Sequence, residues 1–447
     1  MKDVKKSITN RCNMIKAIGG RYKGANRTTM LNIFNAIVLS KMLYGAHLYS
    51  SSTEDMWDII APQFNQTIRT ITGALRTSPV ESILAEAGVL PLNTQIKLNT
   101  IVKAIKWMEL HDHNNNLGKF LVERANRFAA ELTGENLPEI AKRETPLGRK
   151  WYEPKVKIDW TIKKRVKAGG QQTIAKQEFL NTLNKYPNHN VIYTDGSLKE
   201  DEVGCGISHN NTETTIKLNK MCTIYSAESK ALHIATKHIA LEDKPNLIFT
   251  DSASCLDALH KGTSHHPWIE KIQRAAEEKD ITICWVPGHA GIKGNELADK
   301  AAQKGRENGT NYEAVPAQDA INWYKTRTVW SHEYRWRRKS DTFLRRSKPT
   351  TLPWKDRKNV KDQRTLTRLR IGHTWLSHGY LLHKEDQPRC QYCNDILTAD
   401  HIIRNCAGYD ETRTKYNITG LEIYNNTETN ERNLLEFLKE TELLNKI

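Results

Sequence analysis

The sequence predicts an α/β domain, a mixed sheet carrying helices, set between a helical N-terminal region and a strongly basic C-terminal segment. Three observations predict it. From about residue 190 the spacing of apolar residues changes from helical to strand-like. Two apolar runs each end in a carboxylate followed by a small residue, Tyr193-Thr194-Asp195-Gly196-Ser197 and Phe249-Thr250-Asp251-Ser252. Strands in this region first follow one another and then alternate with helices, which implies a layered α/β architecture.

The chain has 447 residues, room for two to four domains at about 100 to 200 residues each. Hydrophobic residues make up 38%, enough for a core, which excludes a wholly disordered polymer. Lys and Arg outnumber Asp and Glu by 67 to 51, a formal charge of +16 that points to a polyanionic partner. A membrane is excluded by pattern: the apolar stretch 33–44 is broken by Ser40 and Lys41, and no run reaches the ~20 apolar residues of a bilayer crossing. Residues 1–10 lack the shape of a secretory leader. Five of the eight cysteines stand singly, which argues against a disulfide framework and for an intracellular, reducing site, nucleus or cytoplasm.

In chain order, Met30, Leu31, Phe34, Ile37, Val38 and Met42, then Ile60, Phe64, Ile68 and Ile71, fall at helical spacing over 25–110. Residues 112–187 turn polar and rich in Gly and Pro and read as a connector with some helix. Strands are expected at 191–195, 204–208, 214–218, 247–251 and 281–286, five in all. Helices are expected at 225–241, 252–260, 267–278 and 294–304. Residues 325–370 hold 16 Lys or Arg against 4 Asp or Glu, so most of the net charge is local. Trp323, Trp330, Tyr334, Trp336 and Trp354 are interleaved with it, a composition suited to phosphates and base faces. The end of the chain, 434–447, reads as an amphipathic helix.

The chemistry lies in the carboxylates. Asp195 and Asp251 follow strands whose carboxyl ends, in an open α/β sheet, face the ligand crevice. Glu228 lies in the first turn of its helix with Ala231, Leu232, Ala235 and Ile239 on the same face, so it points toward the sheet, where a lone charge is costly. Asp299, followed at i+3 by Ala302, is similar. Four converging acids repel one another unless cations hold them, and oxygen-only donors select Mg²⁺ or Mn²⁺. Two such ions form the clamp used in in-line phosphodiester hydrolysis. The Gly-rich segment Trp285-Val286-Pro287-Gly288-His289-Ala290-Gly291 supplies an imidazole for proton shuttling or product release. Separately, Cys390, Cys393, His401 and Cys406 give C-x-x-C and H-x-x-x-x-C spacing, four donors for one structural Zn²⁺. Such a site can fold a peptide too small to have its own core.

With these motifs in place, the segment 188–308 resembles the type 1 ribonucleases H, through the two Asp strands, Ser226-Ala227-Glu228, Val286-Pro287-Gly288-His289-Ala290-Gly291 and Gly294-Asn295-Glu296-Leu297-Ala298-Asp299. The resemblance implies a ribonuclease H-like fold and two Mg²⁺ held by Asp195, Glu228, Asp251 and Asp299. It further implies His289 as the mobile histidine, Glu296 as an auxiliary acid, and cleavage of the RNA strand of RNA:DNA hybrids to a 3′ hydroxyl and 5′ phosphate. Ser197 and Ser226 are placed to help contact the hybrid. The basic handle some members carry looks absent, because one short helix joins 252–260 to the 281–286 strand. Residues 20–95, with Lys41-Met42-Leu43-Tyr44-Gly45 and Glu86-Ala87-Gly88, resemble the segment that follows the reverse transcriptase core in Jockey-like non-LTR retrotransposon polyproteins. Residues 366–406 resemble the end of the same polyproteins. The implied organisation is a helical remnant at 1–150, a connector at 151–187, the ribonuclease H domain at 188–308, a basic aromatic helical segment at 309–385, a small CCHC zinc module at 386–410 and a C-terminal helix at 411–447. No Tyr-Ala-Asp-Asp or Phe-Ala-Asp-Asp string occurs, so the chain is not expected to polymerise DNA. The rival expectation is a non-catalytic nucleic-acid-binding protein using the basic segment and zinc module.

Overall fold

A computed structural model describes residues 2–20, 24–49, 55–111, 116–143, 156–167, 172–238, 244–262, 264–338, 342–357 and 359–447. Much of the expected connector, 144–155 and 168–171, and the end of the 225–241 helix lie outside the described residues. The chain divides into two compact units, one formed by 101–127 and 135–325, the other by 1–100, 128–134 and 326–447.

The first unit is built on a seven-stranded mixed sheet. Its strands are β1 (Lys157–Asp159), β2 (Asn190–Lys199), β3 (Glu202–His209), β4 (Thr212–Leu218), β5 (Asn246–Thr250), β6 (Ile281–Trp285) and β7 (Thr310–Tyr312), in the order β1-β6-β5-β2-β3-β4-β7. The five expected strands form its centre, and the sheet is larger than five because a three-residue strand closes each edge. Such strands are too short to carry a readable period. β2 runs parallel to β5 and antiparallel to β3, with Thr194 opposite Thr250 and Asp195 opposite Gly206.

Helices cover both faces. A Cβ at Gly196 would come within 2.9 Å of the Glu228 backbone nitrogen, on the helix Ile224–His238. A Cβ at Gly206 would come within 2.1 Å of the Ala302 nitrogen, on the helix Lys293–Asn308. Gly196 pairs with Cys205, next to Gly206, and neighbours along a strand point to opposite faces, so these two helices lie on opposite sides. The close seat of the second helix uses Ala298, Ala301, Ala302 and Gly305, all small and buried. The helices Thr161–Lys167 and Gln172–Lys185, from the polar stretch read as connector, bring Ile162, Ala175 and Phe179 against Leu247, Phe249 and Cys284 of the sheet.

The second unit is helical. Phe34, Phe64, Ile68 and Ile83 form a core with Trp336, Leu344 and Ile371 of the basic segment, so N-terminal and C-terminal stretches share one interior. Beneath it lies a buried charge network. Arg27 Nη1 is 3.1 Å from Glu86 Oε1, and the Lys348 ammonium donates to the Ala85 carbonyl at 2.7 Å and lies 3.9 Å from the other Glu86 oxygen. Arg370 donates to Glu431 at 2.6 Å. The basic segment is therefore not wholly a solvated binding surface. Lys348 is fully buried and its ammonium pushed down to about 8, by burial first, despite the nearby Glu86. Trp336 is buried and its indole donates to the Lys348 carbonyl, while Trp330 and Tyr334 are exposed.

A candidate carboxylate metal centre and a cysteine-histidine cluster

The parallel register that sets Thr194 beside Thr250 leaves Asp195 in β2 and Asp251 just past β5 as neighbours. Glu228 reaches the same place from the opening turn of the helix Ile224–His238. One carboxylate oxygen from each of Asp195, Glu228 and Asp251 lies within 4.8 Å of the others. Asp195 and Glu228 are buried; Asp251 is partly so. The Asp195 carboxylate accepts from the Gly196 backbone N–H at 2.8 Å, while Glu228 Oε2 is buried with no hydrogen-bond partner.

Burial first, and then the charges of Asp251 and Asp299, push the Asp195 carboxyl up to about 7. Burial and Asp195 push Glu228 well above the usual carboxylate range. Asp251 is raised by burial and partly relieved by His289. Three acids that each disfavour ionisation in one another's company, with one oxygen orphaned, form a donor set that fits a hard divalent cation.

Asp299 stands at the rim, outside the trio but close enough for its charge to act on Asp195 and Asp251. Its Oδ1 accepts from Gln303 at 2.9 Å, and its Oδ2 is 4.0 Å from His289 Nδ1. His289 is largely exposed and sits at φ 52°, a left-handed conformation uncommon outside glycine. Gly288 is required beside it, because a Cβ there would fall 2.8 Å from Asp251 Oδ2. Glu296 is exposed. Ser197 accepts from Arg306 at 3.1 Å. Ser226 is fully buried and bonded to His266 at 2.9 Å, so it does not present its hydroxyl to a ligand as expected.

One positioning group was not foreseen. The buried Asp319 accepts from the backbone N–H and the hydroxyl of Thr223, at 2.8 and 3.1 Å, just before the helix that carries Glu228. Burial raises its pKa, against hydrogen bonds from Ser226 and Thr223. The two residues are 96 apart in sequence, so no local signal announces the pair. Asp319→Ala removes the acceptor for both Thr223 donors, in contacts that are only partly buried, and a loss of about 1.5 kcal/mol is expected, the low end for a hydrogen bond to a charged group. Urea denaturation of the variant checks it; an unmoved midpoint would dismiss the anchor.

In the helical unit, the Cys390 and Cys406 sulfurs are 3.5 Å apart and those of Cys393 and Cys406 3.8 Å. A tetrahedral site with Zn–S of about 2.3 Å has edges of about 3.8 Å, whereas a disulfide needs about 2.05 Å. All four donor atoms lie within 4.8 Å of one another, and His401 Nε2 is buried with no hydrogen-bond partner, so the set fits a tetrahedral ion. The chain makes a tight knuckle here: Asn394 donates to the Cys390 carbonyl at 2.9 Å and takes φ 58°. Burial pushes the Cys390 thiol up, but the N–H groups of Tyr392 and Cys393, with His401 and Cys406, outweigh it and bring it to about 7. Burial and Cys390 push Cys406 up to about 12. The module does have a core: Ala399, Ile402 and Ile403 pack with Leu366, Leu369 and, from the tail helix Glu428–Glu440, Leu434, Phe437 and Leu438.

Residues 187–307 match the RNase H family model. Ribonuclease HI of Synechocystis sp. is 30% identical over 148 residues, spanning 28% of this chain and 92% of that protein. The chain belongs to the RNase H family. The Pol polyprotein of equine infectious anemia virus is 24% identical over 247 residues, 54% of this chain; the chain spans only about a fifth of that polyprotein, 21%. Among solved structures, the foamy viral protease-reverse transcriptase in complex with dsDNA is 26% identical, covering 27% of this chain and 94% of that one at a TM-score of 0.25.

Proposed function

We propose that the chain hydrolyses the RNA strand of RNA:DNA hybrids, with Asp195, Glu228, Asp251 and Asp299 holding two Mg²⁺, or Mn²⁺ in their place. The observation that carries this reading is the trio of carboxylates within 4.8 Å, two of them just past the end of the parallel β2–β5 pairing and one on the helix over it, in an RNase H family fold. Bound divalent ions would polarise the scissile phosphate and lower the pKa of an attacking water. Asp195 is close enough to Asp251, Asp299 and Glu228 for each to act on its carboxyl group, and Glu228 brings a buried oxygen with no hydrogen-bond partner. The exposed His289, beside Asp299, would hand a proton to the departing 3′ oxygen and swing clear with the product.

The nucleic acid would also be gripped by the exposed face of the helix Ala317–Arg338, where Trp330 and Tyr334 stand four residues apart and the Arg338 guanidinium lies 4.5 Å from the Tyr334 ring centre. A structural Zn²⁺ on Cys390, Cys393, His401 and Cys406 would stiffen the neighbouring module. The likeness to a Pol polyprotein supports a retroelement origin, and the segments 20–95 and 366–406 favour the Jockey-like kind. Eight free cysteines suit action inside the cell, in nucleus or cytoplasm. No described helix is long and apolar enough to cross a membrane.

The test is cleavage of labelled hybrid in Mg²⁺, with single-stranded RNA and duplex DNA as controls. Hybrid-specific products ending in 3′ hydroxyls are expected. Salt-sensitive binding of hybrid without cleavage would favour the non-catalytic alternative.

A further inference from the structure

The helical unit holds two adjoining cavities that the nuclease reading does not use. One, of about 530 Å³, is lined by the helices Lys2–Ile18 and Asp55–Thr72; the other, of about 280 Å³, adds the helix Val360–Ile371. Lys16, Gln66 and Arg69 line both, so the two are continuous. Arg76 completes the first and Arg364 and Arg368 the second. Five cations therefore share one cleft, and no carboxylate lines either part.

Their hydrogen bonds orient them. Arg364 donates to the Gly19 and Gly20 carbonyls, Arg368 Nε to the Gly73 carbonyl at 2.8 Å, and Arg69 Nη2 to the Ser78 carbonyl at 2.9 Å. Arg368 Nη1 also donates to the oxygen of Ile447, the last residue of the chain, at 3.3 Å. Arg69 Nε is buried with no hydrogen-bond partner. The arrangement mirrors the carboxylate trio with the sign reversed: Lys16, Arg69 and Arg76 gather along a lining that holds no acidic side chain. The combined volume lies in the range of ligand clefts, about 300 to 1,000 Å³. The lining has no aromatic side chain, so it suits phosphates rather than base faces.

We propose that this cleft binds the sugar-phosphate backbone of a nucleic-acid strand, without base preference. The choice of ligand rests on reading the chain as a nucleic-acid enzyme, and the test is read without cleavage. In an Asp195→Asn background, fluorescence anisotropy would measure binding of labelled oligo-uridine RNA and oligo-thymidine DNA across a salt series. Lys16 and Arg76 are exposed, so Lys16→Gln/Arg76→Gln should keep the fold, checked by thermal melting. Two lost phosphate contacts predict about tenfold weaker binding and a salt slope shallower by about 1 to 1.5 for single strands. The control, Lys5→Gln/Lys6→Gln, removes the same charge from an exposed stretch of the first helix outside the cleft lining and should leave both quantities unchanged. Equal losses in the two variants, or none in either, would overturn the proposal. So would displacement of RNA by poly-glutamate as effective as by DNA, or a strong preference for one base.

Discussion

Asp195→Asn should abolish hybrid cleavage while making the metal-free protein more stable above neutral pH. The loss of activity is expected on the order of 10³-fold or more, the scale of removing one member of a catalytic group that acts as a unit. The gain in stability follows from the burial and repulsion that raise the Asp195 carboxyl from 3.8 to about 7. A group whose folded-state pKa is raised contributes stability that is fully present below its unfolded value and is lost as pH rises through the folded value. The wild-type melting temperature without metal should therefore fall between about pH 4 and pH 8, steepest at about pH 5 to 6, midway between the unfolded and folded values, and level off above about 7. Mg²⁺ should restore it, and by more at pH 8 than at pH 6. The asparagine variant, with no charge at that position, should show a flatter pH profile and a smaller response to Mg²⁺. Thermal melts with and without Mg²⁺ at several pH values check this. A variant that melts lower than wild type at pH 8 without metal would mean that Asp195 is held by a cation of the protein itself.

The second large effect concerns the cysteine-histidine cluster. Cys406→Ser, or removal of metal by a chelator, should lower the melting temperature of the helical unit by about 10 °C or more, since metal binding at such sites is itself folding energy. The effect should spread beyond the knuckle. Cys406 adjoins Ile402 and Ile403, which are seated with Leu366, Leu369, Leu434 and Phe437, so loosening the donors should expose the tail helix Glu428–Glu440 to proteolysis. Elemental analysis of the purified protein should find one zinc per chain. A zinc-free chain with the same melting temperature would make the four residues a thiol-rich turn and nothing more.

The paired acids were readable because each ends an apolar run, and parallel strands bring such ends together. Glu228 was readable because helical spacing put it on the apolar face. The Gly288 requirement was partly readable as a Gly-rich loop, but its reason, the 2.8 Å approach to Asp251, is a tertiary distance. What escaped was non-local or against type. Thr223 and Asp319 meet only because the helix Ala317–Arg338 returns to the helix that bears Glu228. Ile162, Ala175 and Phe179 are sparse apolar residues in a polar stretch, too few to mark two helices that cover the sheet. Lys348 lies in a run of cations, where composition favours solvent, yet the Ala85 carbonyl and Glu86 hold it inside. Ser226 sits in the motif nearest Glu228, but His266, forty residues on, claims its hydroxyl.

Anomalous diffraction from crystals grown in Mn²⁺ bears most directly on the carboxylate centre. Two peaks, both touching Asp195 and between them reaching Glu228, Asp251 and Asp299, are predicted. No peak where the β2–β5 pairing ends, beside Asp195 and Asp251, or a lysine ammonium among the acids, would contradict it.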